Sequence, residues 1–500
     1  IFAGDGNNVI TLDSFNYGTG GGDLINVGNG ADSITLLGNG TVIAGDGRDT
    51  VTVQNSGKAA AYDTITLGNG PDSVTFNGAN GVVSVGSGND TINFNGNGSI
   101  YAGGGADSVI FNGANGVVSV GSGNDTINFN GNGSIYAGNG TDSVIFNGAN
   151  GVVSVGNGRD TINFNGNGSI YAGGGNDTIT IANGGAVTVV AGAGNDSITL
   201  GGNGHYDLTL GGGFDTVVAA LGNTTITANS GAGGVSVTAG SSNLTFFGSG
   251  ADTITLGQGY DSVVESGSAT VYGSGSRGGA FATVQGGAGN FVFHGGAGNE
   301  IVTAGTGAAT LYAGTGNESF YAGASANALL DGQGSSNNDS FYGGSGNSTL
   351  EGGSGKNVFT GGTGNTSMQG GSGTNVFYGG SGDTTMVGGS GRSGENTFYG
   401  GSGHDTMVAA AGPNGSEQNF FDFNAATGGS HVITNYNPAQ GNLDFSGYGL
   451  TAAQIAAAAT VLPDGSGHDT QISLTAGGVT TTVLIKGLDG VNSSMIKSTH

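Results

Sequence analysis

Three consecutive segments, residues 77–111, 112–146 and 147–181, are nearly identical copies of 35 residues, the first reading NGANGVVSVGSGNDTINFNGNGSIYAGGGADSVIF. Tandem copying of this kind restricts a chain to folds in which each unit stacks on a replica of itself. Every copy carries two Asp-bearing turns, and the aspartates fall at 90, 107, 125, 142, 160 and 177, at spacings of 17, 18, 17, 18 and 17. The stacking unit is therefore half a copy. Helical repeats of comparable length need long apolar stripes of period 3.6, and strong helix formers are scarce here. What recurs is a short alternating run such as Thr91-Ile92-Asn93-Phe94 between glycine-rich turns, which reads as a strand. Two strands and two turns complete one coil of a parallel β-solenoid, so the predicted class is all-β, with about 17–18 residues per coil. Ile92 and Phe94 should point inward, Val118 and Val120 should face them across a thin core, and Thr91, Asn93 and Ser119 should point out.

From about 341 to 408 the period becomes nine: GGSGNSTLE, GGSGKNVFT, GGTGNTSMQ, GGSGTNVFY and GGSGDTTMV follow without gaps. Phe359 and Phe377 alternate with Leu350, Met368 and Met386, so two nonapeptides again make one coil, with one residue set on each side. Segment 388–399 carries three extra residues, read as a bulge at an edge. Beyond Pro413 glycine thins out; Ala452–Leu462 reads as a short helix, and Gln471–Ala476 and Thr480–Ile485 read as strands. The expected organisation is a solenoid with Asp turns mainly on one edge over 1–285, an Asp-depleted nonapeptide solenoid over 286–411, and a C-terminal β-rich cap over 412–500.

Glycine supplies 113 of the 500 residues and proline 4, without the three-residue period of collagen. Asp and Glu outnumber Lys and Arg by 34 to 8, giving a formal charge of −26 that repels nucleic acids, anionic lipids and acidic polysaccharides and attracts cations. There is no cysteine, hence no disulfide and no thiolate metal site. No run of 18 apolar residues occurs, so no transmembrane helix is expected. The chain opens on Ile1 inside a patterned segment and reads as a processed or truncated piece of a longer protein.

The recurrent turn is G-x-G-x-D-[S/T]-[I/V], as in GNGADSI, GSGNDTI and GAGNDSI. Its glycines permit positive φ and let the backbone aim several carbonyl oxygens at one point, while the aspartate adds an anionic oxygen. A hard cation that takes six to eight oxygens suits such a turn, Ca²⁺ better than Mg²⁺. In these turns the sequence resembles the RTX family of secreted repeat proteins, whose nonapeptide is G-G-x-G-x-D-x-U-x. The resemblance covers most of residues 1–408. It implies a parallel β-roll with multiple calcium ions between stacked turns, and a ligand role for Asp32, Asp49, Asp72, Asp90, Asp107, Asp125, Asp142, Asp160, Asp177, Asp196, Asp215, Asp252 and Asp261, with Asp405 restoring the motif at the end. Glu300 and Glu318 hold the same position in two intermediate turns.

Three departures from the family pattern matter. The first glycine is usually replaced, as by Val85 or Ala102. Asp occupies only alternate turns over 72–196, which predicts a single cation column on one edge; asparagines such as Asn95, Asn112 and Asn130 should ladder on the other. In the C-terminal nonapeptides Ser348, Asn357, Thr366, Asn375 and Thr384 replace the aspartate. The terminal segment resembles the C-terminal module of type I-secreted RTX proteins, which implies an export signal read by the type I machinery. Asp469, beside an apparent hairpin, reads as structural. No G-x-S-x-G elbow or H-E-x-x-H helix occurs, and the six histidines are dispersed, so no enzyme is expected. The leading expectation is a secreted structural solenoid of a surface layer, fibre or matrix, self-associating end to end or laterally. The alternatives are an adhesin spacer that presents a ligand site, and the repeat tail of a larger secreted enzyme.

Overall fold

The computed structural model describes residues 1–13, 22–54, 62–229, 233–275, 280–391, 394–410, 417–464 and 467–497. The chain divides into two compact units, Ile1–Leu244 and Thr245–His500, so the break falls inside the segment expected to run to 285. Each unit is a parallel β-solenoid. In the first, the strand Thr91–Phe94 lies on one sheet, Asn97–Tyr101 on the other, and Ser108–Phe111 returns to the first sheet one coil later. The register is residue for residue: Ile92 pairs with Val109 and Phe94 with Phe111, while Tyr101 pairs with Ser119 across the second sheet. Stacked strands of this kind sit about 4.8 Å apart.

The alternation read from the sequence sets which side chains are inside. Ile92, Phe94, Val118 and Val120 are all buried, and Thr91 is exposed. Because equivalent residues stack, the phenylalanines form a column. Ring centroids are 4.2 Å apart for Phe76–Phe94, 4.4 Å for Phe111–Phe129 and 4.7 Å for Phe146–Phe164, with planes within about 11°. The rings need space on the facing strand, and glycine supplies it: a Cβ at Gly116 would lie 2.2 Å from Cζ of Phe111. Large-against-nothing pairing lets a core only two strands thick hold an aromatic ring in each coil from Phe76 to Phe164.

The second unit uses the same plan with nonapeptides. Phe341, Phe359, Phe377, Phe398 and Phe421 stack at 4.9–5.3 Å on one sheet. Leu350, Met368, Met386 and Met407 stack in register on the other. Of the extra residues expected to bulge in 388–399, positions 392–393 lie outside the described residues. The C-terminal segment continues the solenoid: Gln418–Asp422 pairs with Glu395–Tyr399, and Gly429–Thr434 with His404–Val408, all parallel. The hairpin Gly467–Ala476 and Val479–Ile485 then lays its second strand in parallel on Gly429–Ile433. An antiparallel pair thereby covers the open edge that a parallel sheet would otherwise present. The helix is shorter than expected, Ala452–Ala457 behind a Thr451 capping box. Residues Ala459–Asp464, with β-branched Thr460 and Val461, pair with the hairpin instead.

Phe129 sits in the middle of its column, so Phe129→Ala should leave a cavity costing about 3–5 kcal/mol. Chemical denaturation of the cation-loaded protein measures this; a change below about 1 kcal/mol would show that the column is not a stability element.

Candidate metal centre

In the first unit each G-x-G-x-D turn ends at or just before the first residue of a strand of the first sheet, so the aspartates of successive coils stand above one another on one edge. Asp32, Asp49, Asp72, Asp90, Asp107, Asp125, Asp142, Asp160, Asp177, Asp196 and Asp215 form an unbroken ladder. In every step the Oδ1 of one aspartate accepts the backbone N–H of the aspartate one coil earlier, at 2.7–3.0 Å. These side chains are at most 2% exposed, and the Oδ2 of each has no hydrogen-bond partner. From Asp49 to Asp215 burial pushes the carboxyl groups upward, opposed by the amide hydrogen bond: Asp72, Asp142 and Asp196 rise to about 7, and Asp90, Asp125 and Asp177 to about 6. The turns themselves stack backbone on backbone. Gly140 has φ +149°, and a Cβ there would lie 1.4 Å from the Gly123 carbonyl oxygen, so only glycine fits.

Asparagine at the equivalent position identifies what the orphaned oxygens lack. Asn8 precedes Asp32 in the ladder; its Nδ2 donates to the carbonyls of Gly4 and Gly6 and to Asp32 Oδ1, at 2.9, 3.0 and 2.9 Å. Asn375 does the same in the second unit, to Gly371 and Gly373 carbonyls and to Asn396 Oδ1, all at 3.0 Å. An electropositive group thus sits among two glycine carbonyls and the next side-chain oxygen. Where aspartate stands there, the corresponding atoms are an unpartnered carboxylate oxygen and, for Asp90, the carbonyls of Gly86 and Gly88, an all-oxygen donor set suited to a hard divalent cation. Among the described residues no three carboxylate or imidazole side chains converge on one point, so main-chain carbonyls have to complete any such site.

The remaining sequence-derived positions are arranged differently. In the second unit Asp252 pairs with Ala269 on one sheet and Asp261 with Ala282 on the other, so the two lie on opposite edges; alanine follows each in register, and the carboxyl beside Asp252 is that of Glu265, which hydrogen-bonds to it. Asp261 accepts the Gly257 N–H at 3.1 Å. Asp405 accepts the Gly401 N–H at 3.0 Å and lies 2.9 Å from His431 Nδ1, both side chains buried. Glu300 and Glu318 stack in register on the Asp261 edge. Glu318 accepts the N–H groups of Gly314 and Gly316, because its extra methylene reaches the turn amides, and burial beside Asp339 raises its carboxyl. Beyond Asp339 the edge turns neutral: Asn357, Asn375, Asn396 and Asn419 form an amide ladder at 3.0–3.2 Å. On the other edge of the first unit, Asn95, Asn112, Asn130, Asn147 and Asn165 ladder at 2.7–2.8 Å, as expected for the first three. Asp469 binds Lys486 Nζ at 2.7 Å, a structural ion pair.

Sequence reasoning missed Asp339, whose Oδ1 accepts the Glu318 N–H at 3.1 Å, because its turn breaks the G-x-G-x-D spacing. Buried Glu265 and Asp63 were missed as well, having no glycine motif before them. Asn8 was legible as G-x-G-x-N.

Two outcomes follow from the ladder. Since folding raises these carboxyl values, their contribution to the metal-free fold is fully present below about pH 4 and is lost as pH rises through 6–7. Metal-free protein should therefore gain β-type circular dichroism on acidification from neutral pH to about 5, protons replacing the cation; a flat profile would contradict the ladder's protonation coupling. Asp125→Asn should place an amide where Asn8 has one, raising metal-free stability by about 1–3 kcal/mol while lowering cation uptake. Paired melts in chelator and isothermal titration read both changes.

The comparisons with known proteins agree with this chemistry. The chain matches the RTX calcium-binding nonapeptide repeat (4 copies) at residues 162–180, 248–263, 278–311, 294–329, 333–368, 360–393 and 390–414. No curated protein matches it. With its nonapeptides wound into parallel coils and its turn aspartates stacked, the chain is an RTX-type calcium-binding β-solenoid.

Proposed function

We propose that the protein is a secreted structural solenoid of a surface layer, extracellular fibre or matrix, exported by a type I system and folded by calcium outside the cell. The observation that carries this reading is the ladder of eleven buried aspartates, each with one oxygen unpartnered. Without a cation the buried charges favour the disordered chain, which suits passage through an exporter. At the calcium levels that extracellular modules use, about 10⁻⁴–10⁻³ M, binding free energy becomes folding free energy. The near-identical copies over 77–181 set a uniform length and surface rather than a single pocket, which favours a scaffold over a catalyst.

One observation favours a second reading, an adhesin region that presents a ligand. A trough of about 800 Å³ runs along the outward face of the second unit, lined by Thr310, Asn327, Thr349, Ser367, Asp383 and His404. Its hydroxyl and amide rows could hold a polar ligand. Thr349→Tyr, which fills the trough, should abolish attachment of the protein to its target surface on this reading and leave a scaffold unaffected.

The calcium reading is tested by circular dichroism. Excess chelator at neutral pH should convert the β spectrum to that of a disordered chain, and about 1 mM calcium should restore it. A spectrum unchanged by chelation would overturn the proposal.

A further inference from the structure

The outward face of the second sheet in the first unit carries a regular comb. Over the strands Asn80–Ser84, Asn97–Tyr101, Asn115–Ser119, Asn132–Gly138, Asn150–Val155 and Asn167–Tyr171, one register row reads Ser84, Tyr101, Ser119, Tyr136, Ser154, Tyr171. The three tyrosines are 48%, 47% and 45% exposed, although nothing polar on the strand requires them. The neighbouring row alternates in the opposite phase: Val82, Ser99, Val117, Ser134, Val152, Ser169. Each coil therefore has one large and one small outward side chain, and large and small exchange places from coil to coil. The knobs repeat every two coils, about 9.6 Å at the usual strand spacing, with a gap of equal length between them. The same stretch of the other sheet alternates Asn93, Ile110, Asn128 and Ile145, side chains of nearly equal length, and offers no such relief.

We infer that this face is a docking surface for a second copy of the chain, packed face to face and antiparallel, with each tyrosine of one copy seated over a serine of the other. A two-fold axis lying in the interface, across the solenoid and midway between two coils, maps every odd coil of the row onto an even one. Tyrosine then meets serine, and in the adjoining row valine meets serine, without any sideways shift. An isologous contact needs this self-complementarity, and few surfaces possess it. Charge permits the approach: in a chain of net charge −26, these strands and the following strand Ala186–Gly192 contain no charged residue. The seven strands span about 30 Å, and strands of about 17 Å length give roughly 500 Å² per partner. That is below the roughly 800 Å² of a stable dimer. The contact is weak singly and suited to repeated use in an array. It rests on the structural reading above and names the contact that reading needs.

The test uses the full calcium-loaded chain, with sedimentation velocity over rising concentration and circular dichroism on the same samples. The wild type should self-associate. Y101S/Y136S/Y171S removes the knobs and should weaken association at least about tenfold. S119Y/S154Y adds apolar surface but fills the gaps, so it should also weaken association about tenfold, whereas a merely sticky patch would associate more tightly. Combining all five substitutions shifts the comb by one coil, restores complementarity and should restore association. Tighter association of S119Y/S154Y, failure of the fivefold variant to recover, or a monomeric wild type with an intact β spectrum would each overturn the docking surface while leaving calcium-dependent folding in place. Loss of the calcium response in the spectrum would instead overturn the structural reading itself.

Discussion

The bond from each aspartate Oδ1 to the amide of the aspartate one coil earlier governs the first unit. It fixes the height of a coil and buries the carboxylate, and so places like charges one strand spacing apart. At about 4.8 Å and an effective dielectric of 20, two unit charges repel by about 3 kcal/mol. The ladder from Asp32 to Asp215 repeats that contact through its whole length. A few such terms exceed the 5–15 kcal/mol by which a domain is ordinarily stable. The coil geometry and a fully ionised, cation-free ladder are therefore incompatible, and the protein resolves the conflict by proton or metal uptake.

The second unit resolves it by changing the residues. Along one edge the acidic positions Glu300, Glu318 and Asp339 give way to Asn357, Asn375, Asn396 and Asn419, whose amides donate where a cation would attract. Along the other, Ala309 and Ala328 lead into Ser348, Thr366 and Thr384, with Asp405 meeting His431 at the end. The same fold thus runs from carboxylates that need an outside charge to side chains that satisfy the turn themselves. Nonapeptide regularity and metal demand are separable properties, which explains why much of the family match falls on the aspartate-poor stretch.

Periodicity made most of this legible. A period near 17.5 with Ile92 and Phe94 in alternation determines the sheets, the core and the stacked edge together, because in a solenoid one coil's register is every coil's register. What escaped were features that leave the period. Asp339 lies behind an insertion, Glu265 and Asp63 have no glycines before them, and residues 459–462 of the strand Ala459–Asp464 were read as the end of a helix because the preceding alanines favour one. The terminal segment was read as a separate module because its composition changes, yet backbone pairing depends little on composition, and Gln418–Asp422 continues the sheet.

The location of the charge also joins folding to association on the proposed reading. Eleven of the 34 acidic residues lie in the ladder, buried at one edge, while the faces carry serine, threonine, asparagine and tyrosine. In the unfolded chain all the carboxylates are exposed, and mutual repulsion keeps the polymer soluble and extended. Folding with calcium neutralises the ladder and leaves outward sheets with little net charge to hold two copies apart. The event that makes the solenoid rigid is then the event that makes its surface able to meet another, so a single cation controls both without any separate switch in the sequence.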